Sequence, residues 1–193
     1  MRLFVAVNLP AQTRHAAWEA AAPLRAAGLP VRWVADEAIH ITLKFLGEVD
    51  EPLVPDIAAV LSTAVREVRA FELGLGGCGA FPDQHRPRVL WLGIEQHPAL
   101  ELLANDVERA LAPFGFESEL RPFQPHLTLG RAEKRARPGD FRGLDKLVAR
   151  VEFAAVMPVA SVDLMQSVLG RGGPTYTVLH RAVLQRSAPP GDH

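Results

Sequence analysis

Apolar residues alternate with polar ones, or run without interruption, in nine short segments that predict β-strands. These segments cover 3–9, 31–34, 39–45, 71–75, 88–94, 124–129, 151–155, 161–169 and 175–184. Three longer segments, one of them rich in alanine, have the spacing and end signals of amphipathic helices. The predicted helices cover 11–27, 51–69 and 98–114. Strands therefore outnumber helices along the chain.

Several of the predicted strands follow one another without a helix between them. This order favours an α+β fold with largely antiparallel pairing over a doubly wound parallel sheet. Two stretches, each with a helix near a strand that contains His-apolar-Thr-Leu, resemble each other in character, so we expect two pseudo-equivalent lobes around a shared cleft. We expect residues 1–186 to form this two-lobed domain and the polar segment 187–193 to be a disordered tail.

Two segments between the predicted elements are unusual in composition. The glycine-rich turn Gly76-Gly77-Cys78-Gly79 lacks the Lys-Ser/Thr ending of a phosphate-binding loop, so we interpret it as a bend or bulge. The charged segment 131–137 is typical of a solvated loop, but it directly follows a predicted strand that carries a histidine. It could therefore also be a local basic patch that attracts RNA.

The overall charge limits the kind of partner that the chain can hold. Among 193 residues the formal net charge is −1, which argues against the broad basic field of proteins that bind long duplex nucleic acid. Binding of a nucleic acid would then concentrate on one end or one phosphate. This weighs against a sequence-reading RNA-binding module and leaves an enzyme that acts on a terminal phosphate open.

Cysteine content and hydropathy indicate the compartment. The single cysteine, Cys78, excludes an intrachain disulfide and offers no Cys-based metal site, which suits a reducing cytoplasm. No apolar segment has the length of a signal-peptide core or a membrane span. We therefore predict a cytoplasmic protein with no membrane association.

The segments around His40 and His126 carry the candidate chemistry. Each histidine begins a His-x-Thr-Leu sequence on a predicted strand, with Thr42 and Thr128 two residues further on. Because residues two apart in a strand point to the same face, each strand presents one imidazole and one hydroxyl on one side. The intervening leucine and isoleucine residues would anchor the other side in the core.

Two imidazoles and two hydroxyls match the needs of cyclic phosphodiester opening. One histidine can deprotonate water while the other protonates the departing ribose oxygen, since both can titrate near neutral pH. The threonines can donate to the non-bridging phosphoryl oxygens. Neither a metal nor another cofactor is required. Either histidine could be the base; we favour His126 as the base and His40 as the acid.

Other interpretations of the histidines have to be weighed. One His-x-Thr sequence alone is common in structural strands, but two copies with the same following leucine favour function. A zinc site is a weaker alternative because neither tripeptide includes a carboxylate and the cysteine is alone. The remaining histidines have no comparable pattern and are interpreted as surface or structural: His15, His85, His97, His180 and His193.

The motifs resemble the signature of the two-histidine (2H) phosphoesterase superfamily, and specifically its RNA 2',3'-cyclic phosphodiesterase branch, also called 2'-5' RNA ligase. The resemblance extends to about residue 184. The matching segments are 2–6, 40–47, 79–82, 87–93, 121–129 and 169–176. It implies a bilobal α+β fold with two mainly antiparallel sheets, outer helices and a central cleft. It also implies hydrolysis of RNA 2',3'-cyclic phosphates to 2'-phosphomonoesters and reversible, ATP-independent 2'-5' ligation.

Residue by residue, the resemblance implies that His40 and His126 are catalytic and that Thr42 and Thr128 contact the phosphate. Arg131 matches a basic position that could reach the phosphate, with a solvated arginine as the alternative. The glycine at position 130 replaces bulkier residues or alanine, and we expect it to loosen the end of the strand.

Some neighbouring residues are secondary candidates. Phe45, Phe123 and Tyr176 could stack on a nucleobase, but we interpret Phe45 and Phe123 as core residues and leave Tyr176 open. Lys44 follows His40 and Thr42 at the same two-residue interval, so it is predicted to share their face and could contact the phosphate.

Three functional hypotheses remain at this stage besides a zinc hydrolase. The first is a phosphodiesterase that acts on RNA ends. The second keeps the chemistry but acts on a small cyclic nucleotide, an ADP-ribose cyclic phosphate or a 2'-5' oligonucleotide. The third is a non-catalytic protein that binds RNA ends. We predict no obligate protein partner and a monomer.

Overall fold

The computed structural model describes residues 1–171 and 173–186. These residues contain nine strands and five α-helices. The strands are β1 Arg2–Asn8, β2 Val31–Trp33, β3 His40–Glu48, β4 Phe71–Phe81, β5 Val89–Ile94, β6 His126–Ala132, β7 Ala154–Val159, β8 Ser161–Gly170 and β9 Gly173–Val183. The helices are α1 Ala11–Ala20, α2 Ala22–Ala26, α3 Val54–Val65, α4 Pro98–Leu111 and α5 Leu144–Ala149. The predicted tail, 187–193, lies outside the described residues.

The strands are hydrogen-bonded in the order β7-β4-β5-β6-β3-β1-β8-β9, and β2 adds to β6. Every pairing between these strands is antiparallel. The predicted α+β class is confirmed. The strands form one nine-stranded sheet and not two separate sheets. Its halves, β7-β4-β5-β6 and β3-β1-β8-β9, are joined at the centre through one registered pair, Ile41 with Leu127.

The helices cover one face of the sheet because the strands bury alternate residues there. On β1, Leu3, Val5 and Val7 are all buried, and they belong to one apolar core that also includes Ile57 of α3 and Leu103 of α4. Each fully buried side chain of this size contributes about 1.5–3 kcal/mol relative to exposure. The polar positions of the two His-x-Thr motifs therefore point to the opposite, helix-free face.

Two predicted elements differ in their extent. The predicted helix 11–27 is interrupted at Ala21, and Pro23, which has no backbone N–H, lies in the first turn of α2. The predicted glycine turn is part of β4, which runs continuously to Phe81. A register shift between Leu75 and Cys78 makes this segment a bulge. The predicted turn was therefore wrong, and the alternative interpretation as a bulge is confirmed.

Two further differences lie in the second half of the chain. The strand predicted at 151–155 begins later, at 154, and continues to 159. The short helix α5, of six residues, was not predicted. Two of its apolar residues, Leu144 and Val148, are buried. No helix in the described ranges, 1–171 and 173–186, combines the length and apolar character needed to cross a membrane.

Candidate active site

The central pair of strands brings the two His-x-Thr motifs together. Because β3 and β6 are antiparallel and Ile41 is registered with Leu127, His40 lies across from Thr128 and Thr42 across from His126. Ile41 and Leu127 are both buried on the helix-covered face, so the histidines and threonines all point to the opposite face. We call the space above these four side chains the cleft.

Each imidazole is oriented by a backbone carbonyl two residues upstream. His40 Nδ1 donates to the Ala38 oxygen at 2.8 Å, and His126 Nδ1 donates to the Gln124 oxygen at 2.8 Å. In the neutral ring this leaves Nε2 as the free base. His40 Nε2 lies 3.0 Å from Thr42 Oγ1, which can donate to it in that state. The two rings thus have equivalent anchoring.

Burial is the main influence on the protonation of both histidines. It lowers the pKa of His40 below its ordinary value of 6.5, against the hydrogen bond to Ala38, while the positive charges of Arg131 and His126 lower it further. Burial also lowers the pKa of His126, against the hydrogen bond to Gln124, and Arg131 again contributes in the lowering direction. A bound phosphate anion would oppose these effects by favouring the charged rings.

A β-bulge follows the threonine on β3. Ala6 of β1 is registered with Thr42 and Val5 with Lys44, so Leu43 is the extra residue. A bulge of one residue reverses the alternation of faces beyond it. Lys44 is consequently turned towards the helices and Phe45 towards the cleft.

The positions of Lys44 and Phe45 correct two predictions. Lys44 is only 2% exposed and donates to Glu108 Oε2 of α4 at 2.6 Å and to the Glu117 carbonyl oxygen at 2.9 Å. It does not share a face with His40, and its ammonium is directed away from the cleft. Phe45 is 54% exposed, and its ring centroid lies 6.2 Å from that of Phe4, so it is not a core residue.

The strand β6 has an equivalent bulge. Trp91 of β5 is registered with Thr128 and Leu90 with Gly130, so Leu129 is the extra residue. Gly130 therefore occupies the buried side and Arg131 the cleft side. The two halves correspond position by position, since Gly130 matches Lys44 and Arg131 matches Phe45.

Close packing explains the glycine at position 130. A Cβ atom there would lie 2.5 Å from Val31 Cγ1 and 3.0 Å from the Arg32 carbonyl oxygen, so the missing side chain lets β2 pack directly against β6. The expectation that Gly130 loosens the end of the strand was wrong. The same bulge brings the charge of Arg131 close enough to act on His40, His126 and Tyr176.

Aromatic rings surround both imidazoles. The ring centroid of His40 lies 4.9 Å from that of Phe4 and 5.2 Å from that of Tyr176, while His126 meets Phe81 edge-on at 5.1 Å. These rings pack against the imidazoles on the cleft side. Phe4 and Phe81 were not predicted as site residues. Phe123 packs against the main core, as interpreted from the sequence.

A buried carboxylate supports the strands next to His40. Asn8, which is registered with His40, donates to Asp163 Oδ2 at 2.7 Å. Arg181 donates to both oxygens of Asp163 at 2.8 and 2.9 Å, and this hydrogen bonding raises the pKa of Arg181. Asp163 is fully buried and is the one acidic residue of β8, which is the only sequence signal that could have drawn attention to the network.

The other histidines have structural partners or lie at the surface. His15 contacts the carboxylate of Asp36, His180 bonds Ser62, and His97 caps the start of α4. His193 lies outside the described residues. Within residues 1–171 and 173–186, no three His, Cys, Asp or Glu side chains are close enough to bind a metal ion together.

The family model of the 2'-5' RNA ligase superfamily matches residues 13–171, and this span contains both histidines, both threonines and Arg131. The chain belongs to the 2'-5' RNA ligase superfamily. The resemblance inferred from the two motifs is confirmed.

Members of the superfamily in other organisms are similar over most of their length. The RNA 2',3'-cyclic phosphodiesterase of Aeropyrum pernix is 40% identical over 79% of this chain and 86% of its own. That of Thermotoga maritima is 34% identical over 93% of this chain and 94% of its own.

Solved structures of the superfamily have the same fold. A protein of Thermus thermophilus superposes with a TM-score of 0.80, at 31% identity, over 97% of this chain and all of that one. Escherichia coli LigT complexed with 3'-AMP superposes with a TM-score of 0.71, at 32% identity, over 95% of this chain and 97% of that one.

Proposed function

We propose that this chain hydrolyses the 2',3'-cyclic phosphate at RNA ends to a 2'-phosphomonoester by acid–base catalysis with His40 and His126. The observation that carries the proposal is the pair of co-facial His-x-Thr motifs on adjacent strands, with both Nδ1 atoms bound to carbonyls and both Nε2 atoms left to exchange protons. The relatives named RNA 2',3'-cyclic phosphodiesterase support the substrate class.

The reaction follows from in-line displacement at phosphorus. His126 Nε2 takes a proton from water, and the water oxygen bonds to phosphorus as the bond between phosphorus and O3' breaks. His40 Nε2, protonated at this stage, gives its proton to O3'. The product keeps the phosphate on O2'. One neutral and one protonated histidine are needed. The roles of His40 and His126 can be exchanged without changing the number of protons transferred.

The charge on the phosphoryl oxygens needs donors during this step. Thr42 and Thr128 lie beside the two histidines and can donate hydroxyl hydrogens to those oxygens. Arg131, turned to the cleft by the β6 bulge, adds a positive charge. Donors placed in advance where negative charge develops lower the barrier, with losses of about 100- to 1,000-fold when one is removed.

The same residues would catalyse ligation of RNA ends. A 5'-hydroxyl would take the place of water, lose its proton to the base and bond to the cyclic phosphorus, while the bond between phosphorus and O3' breaks and O3' takes the proton of the acid, which leaves a 2'-5' linkage. In the reverse step O3' attacks the 2'-5' linkage and the 5'-hydroxyl leaves, so that by microscopic reversibility the acid and the base exchange roles. Because the phosphate is activated only by strain in the cyclic ester, ATP would not be consumed.

The exposed ring of Phe45 supports a substrate that includes a nucleobase. Stacking on an aromatic side chain contributes about 1–3 kcal/mol per base. The ring of Phe45 could stack on the base of a mononucleotide as well as on the terminal base of an oligomer, so it does not distinguish the two substrates. Turnover of a 2',3'-cyclic mononucleotide compared with that of a cyclic-ended oligomer separates the RNA-end enzyme from an enzyme for small cyclic nucleotides.

The direct test is incubation of the purified protein, in EDTA, with an RNA oligomer that ends in a 2',3'-cyclic phosphate. Wild type is compared with His40→Ala and His126→Ala, and with His85→Ala as a control for loss of an exposed histidine. We expect a 2'-phosphate product from wild type and the control, and a loss of at least about 1,000-fold in the other two variants. Binding of the oligomer without turnover by wild type would instead indicate a non-catalytic RNA-end protein.

A further inference from the structure

A groove of about 270 Å³ lies next to the cleft, at the outer edge of β2 and the turn after β6. Its lining combines Arg32, Lys134 and Arg135 with one carboxylate, Glu133. We call it the basic groove. The turn is held against β2 because the Glu133 backbone N–H donates to the Pro30 oxygen at 2.9 Å.

The basic groove is continuous with the active site through β2. Arg32 is registered directly with Arg131 across the antiparallel β2–β6 pair, and directly opposed residues point to the same face. Val31 and Trp33 point to the other face and pack against the core. Arg32 therefore faces the cleft side together with Arg131, and Lys134 and Arg135 extend the positive surface outwards.

The cations of this surface outnumber the one carboxylate, Glu133, that lines the groove. Arg32, Arg131, Lys134 and Arg135 form no ion pair with a carboxylate in residues 1–171 and 173–186. Like charges directly opposed on a sheet destabilise it. Since Arg32 and Arg131 are opposed in this way, an anion bound beside them would relieve the repulsion.

We propose that the basic groove holds the phosphodiester backbone of single-stranded RNA immediately 5' of the cyclic end. This inference rests on the proposed function. The cyclic phosphate terminates the strand, so the remainder of the RNA leaves the cleft in only one direction. Each further nucleotide carries one phosphate, and the groove offers cations at the side of the cleft where Arg131 lies. Because the net charge of the chain is −1, attraction of RNA has to come from local groups of cations such as those of the groove.

The test compares two charge variants with the same number of substitutions. Arg32→Gln/Lys134→Gln/Arg135→Gln removes the groove cations and leaves Arg131 in place. Arg66→Gln/Lys146→Gln/Arg150→Gln removes three cations beside α3 and α5, on the helix-covered side. The kcat/KM of each protein is measured from about 0.05 to about 0.5 M salt, a range that spans weak and strong screening. The substrates are a 2',3'-cyclic mononucleotide and a hexamer that ends in the same cyclic phosphate.

We expect the groove variant to lose about tenfold in kcat/KM for the hexamer at low salt and to keep the wild-type value for the mononucleotide. The slope of log kcat/KM against log salt concentration should decrease in magnitude by about 2. Each phosphate contact on a single strand contributes roughly 0.7 to this slope, and three cations are removed. The control variant should match wild type with both substrates. An unchanged salt slope for the hexamer, or an equal loss with both substrates, overturns the proposal.

A failure of the proposed function can be told apart from a failure of this inference. If wild type turns over neither substrate, the proposed function fails, and the groove is then tested by fluorescence anisotropy of a labelled hexamer with a 3'-terminal phosphate. Weaker binding by the groove variant alone supports the groove, and equal binding by all three proteins overturns it. Competition by an acidic peptide as effective as that by the hexamer would identify the groove as a protein-binding surface and overturn the assignment to RNA.

Discussion

At the scale of single residues, the site depends on groups that no local pattern brings close to the histidines. Arg131 is five residues beyond His126 and acts on both imidazoles. Phe4 and Tyr176 contact His40 from β1 and β9, and Phe81 contacts His126 from β4. Burial lowers the pKa values of both histidines, and the charge of Arg131 lowers them further.

Replacement of Arg131 by glutamine should change the pH dependence of the reaction. In the free protein the pKa values of both histidines are lowered, so the acid loses its proton as pH rises and kcat/KM falls on the alkaline side. Without the cation both pKa values rise, and the optimum of kcat/KM moves to higher pH. The maximum should also drop about 100-fold, because one donor to the phosphate is lost.

The matched control is Arg131→Lys, which keeps the positive charge. Its optimum should stay at the wild-type pH even if its rate is lower. An Arg131→Gln optimum at the wild-type pH would show that the charge of Arg131 does not reach the histidines.

At the scale of elements, the two bulges determine which side chains of β3 and β6 point to the cleft and which point to the core. Lys44 ties β3 to α4 and to the connection that leads into β6, while β3 and β6 themselves share one registered pair. The ion pair with Glu108 and the bond to the Glu117 carbonyl therefore help to hold β3 and β6, which carry His40 and His126, in their relative position.

Replacement of Lys44 by methionine should lower the free energy of unfolding by about 1–2 kcal/mol, because Glu108 and the Glu117 carbonyl lose their partner. Glu108 is only partly buried, which keeps the loss small. Urea unfolding of Lys44→Met, Glu108→Gln and the double variant measures the coupling between the two side chains. Additive losses would mean that the ion pair contributes nothing of its own.

Replacement of Gly93 by alanine should disturb the neighbourhood of His126. Gly93 is registered with His126, and a Cβ atom at this position would overlap the carbonyl oxygen of Gly76. We expect a loss of about 1–3 kcal/mol in the free energy of unfolding together with a reduced kcat. Gly139→Ala is the control, since a Cβ atom there meets nothing within 4 Å. Equal stability of the two variants would argue against the close approach of β4.

At the scale of the whole molecule, the two halves of the sheet share one core. Buried residues of β1, β6, α3 and α4 belong to the same apolar cluster, so the halves are not independently packed units. The equivalent bulges relate the halves by a pseudo-twofold arrangement, and the cleft lies where they meet. A single two-lobed domain over 1–186 stays a prediction.

Urea unfolding should consequently be a single cooperative transition. Tryptophan fluorescence, which reports Trp18, Trp33 and Trp91, and far-UV circular dichroism should give the same midpoint. Separate midpoints, or a plateau between two transitions, would show that one half unfolds without the other.

Local sequence determined the class of the fold and the two His-x-Thr tripeptides. Alternation along 39–45 and 124–129 placed each histidine and its threonine on one face, and the strand-rich order indicated α+β, because both depend on the two-residue period of a single strand. The cytoplasmic location, the monomeric state and the disordered tail stay predictions.

Only the tertiary structure decided what lies beyond each threonine. A bulge exists only relative to a partner strand, and the partners β1 and β5 are distant in sequence from β3 and β6. Nothing in Leu43 or Leu129 marks the extra residue, so Lys44 was assigned to the wrong face and Phe45 to the core. The pairing of β6 with β5 turned Arg131 to the cleft, and its pairing with β2 set Arg131 beside Arg32. Strand periodicity is encoded locally, whereas register is set by which strands meet.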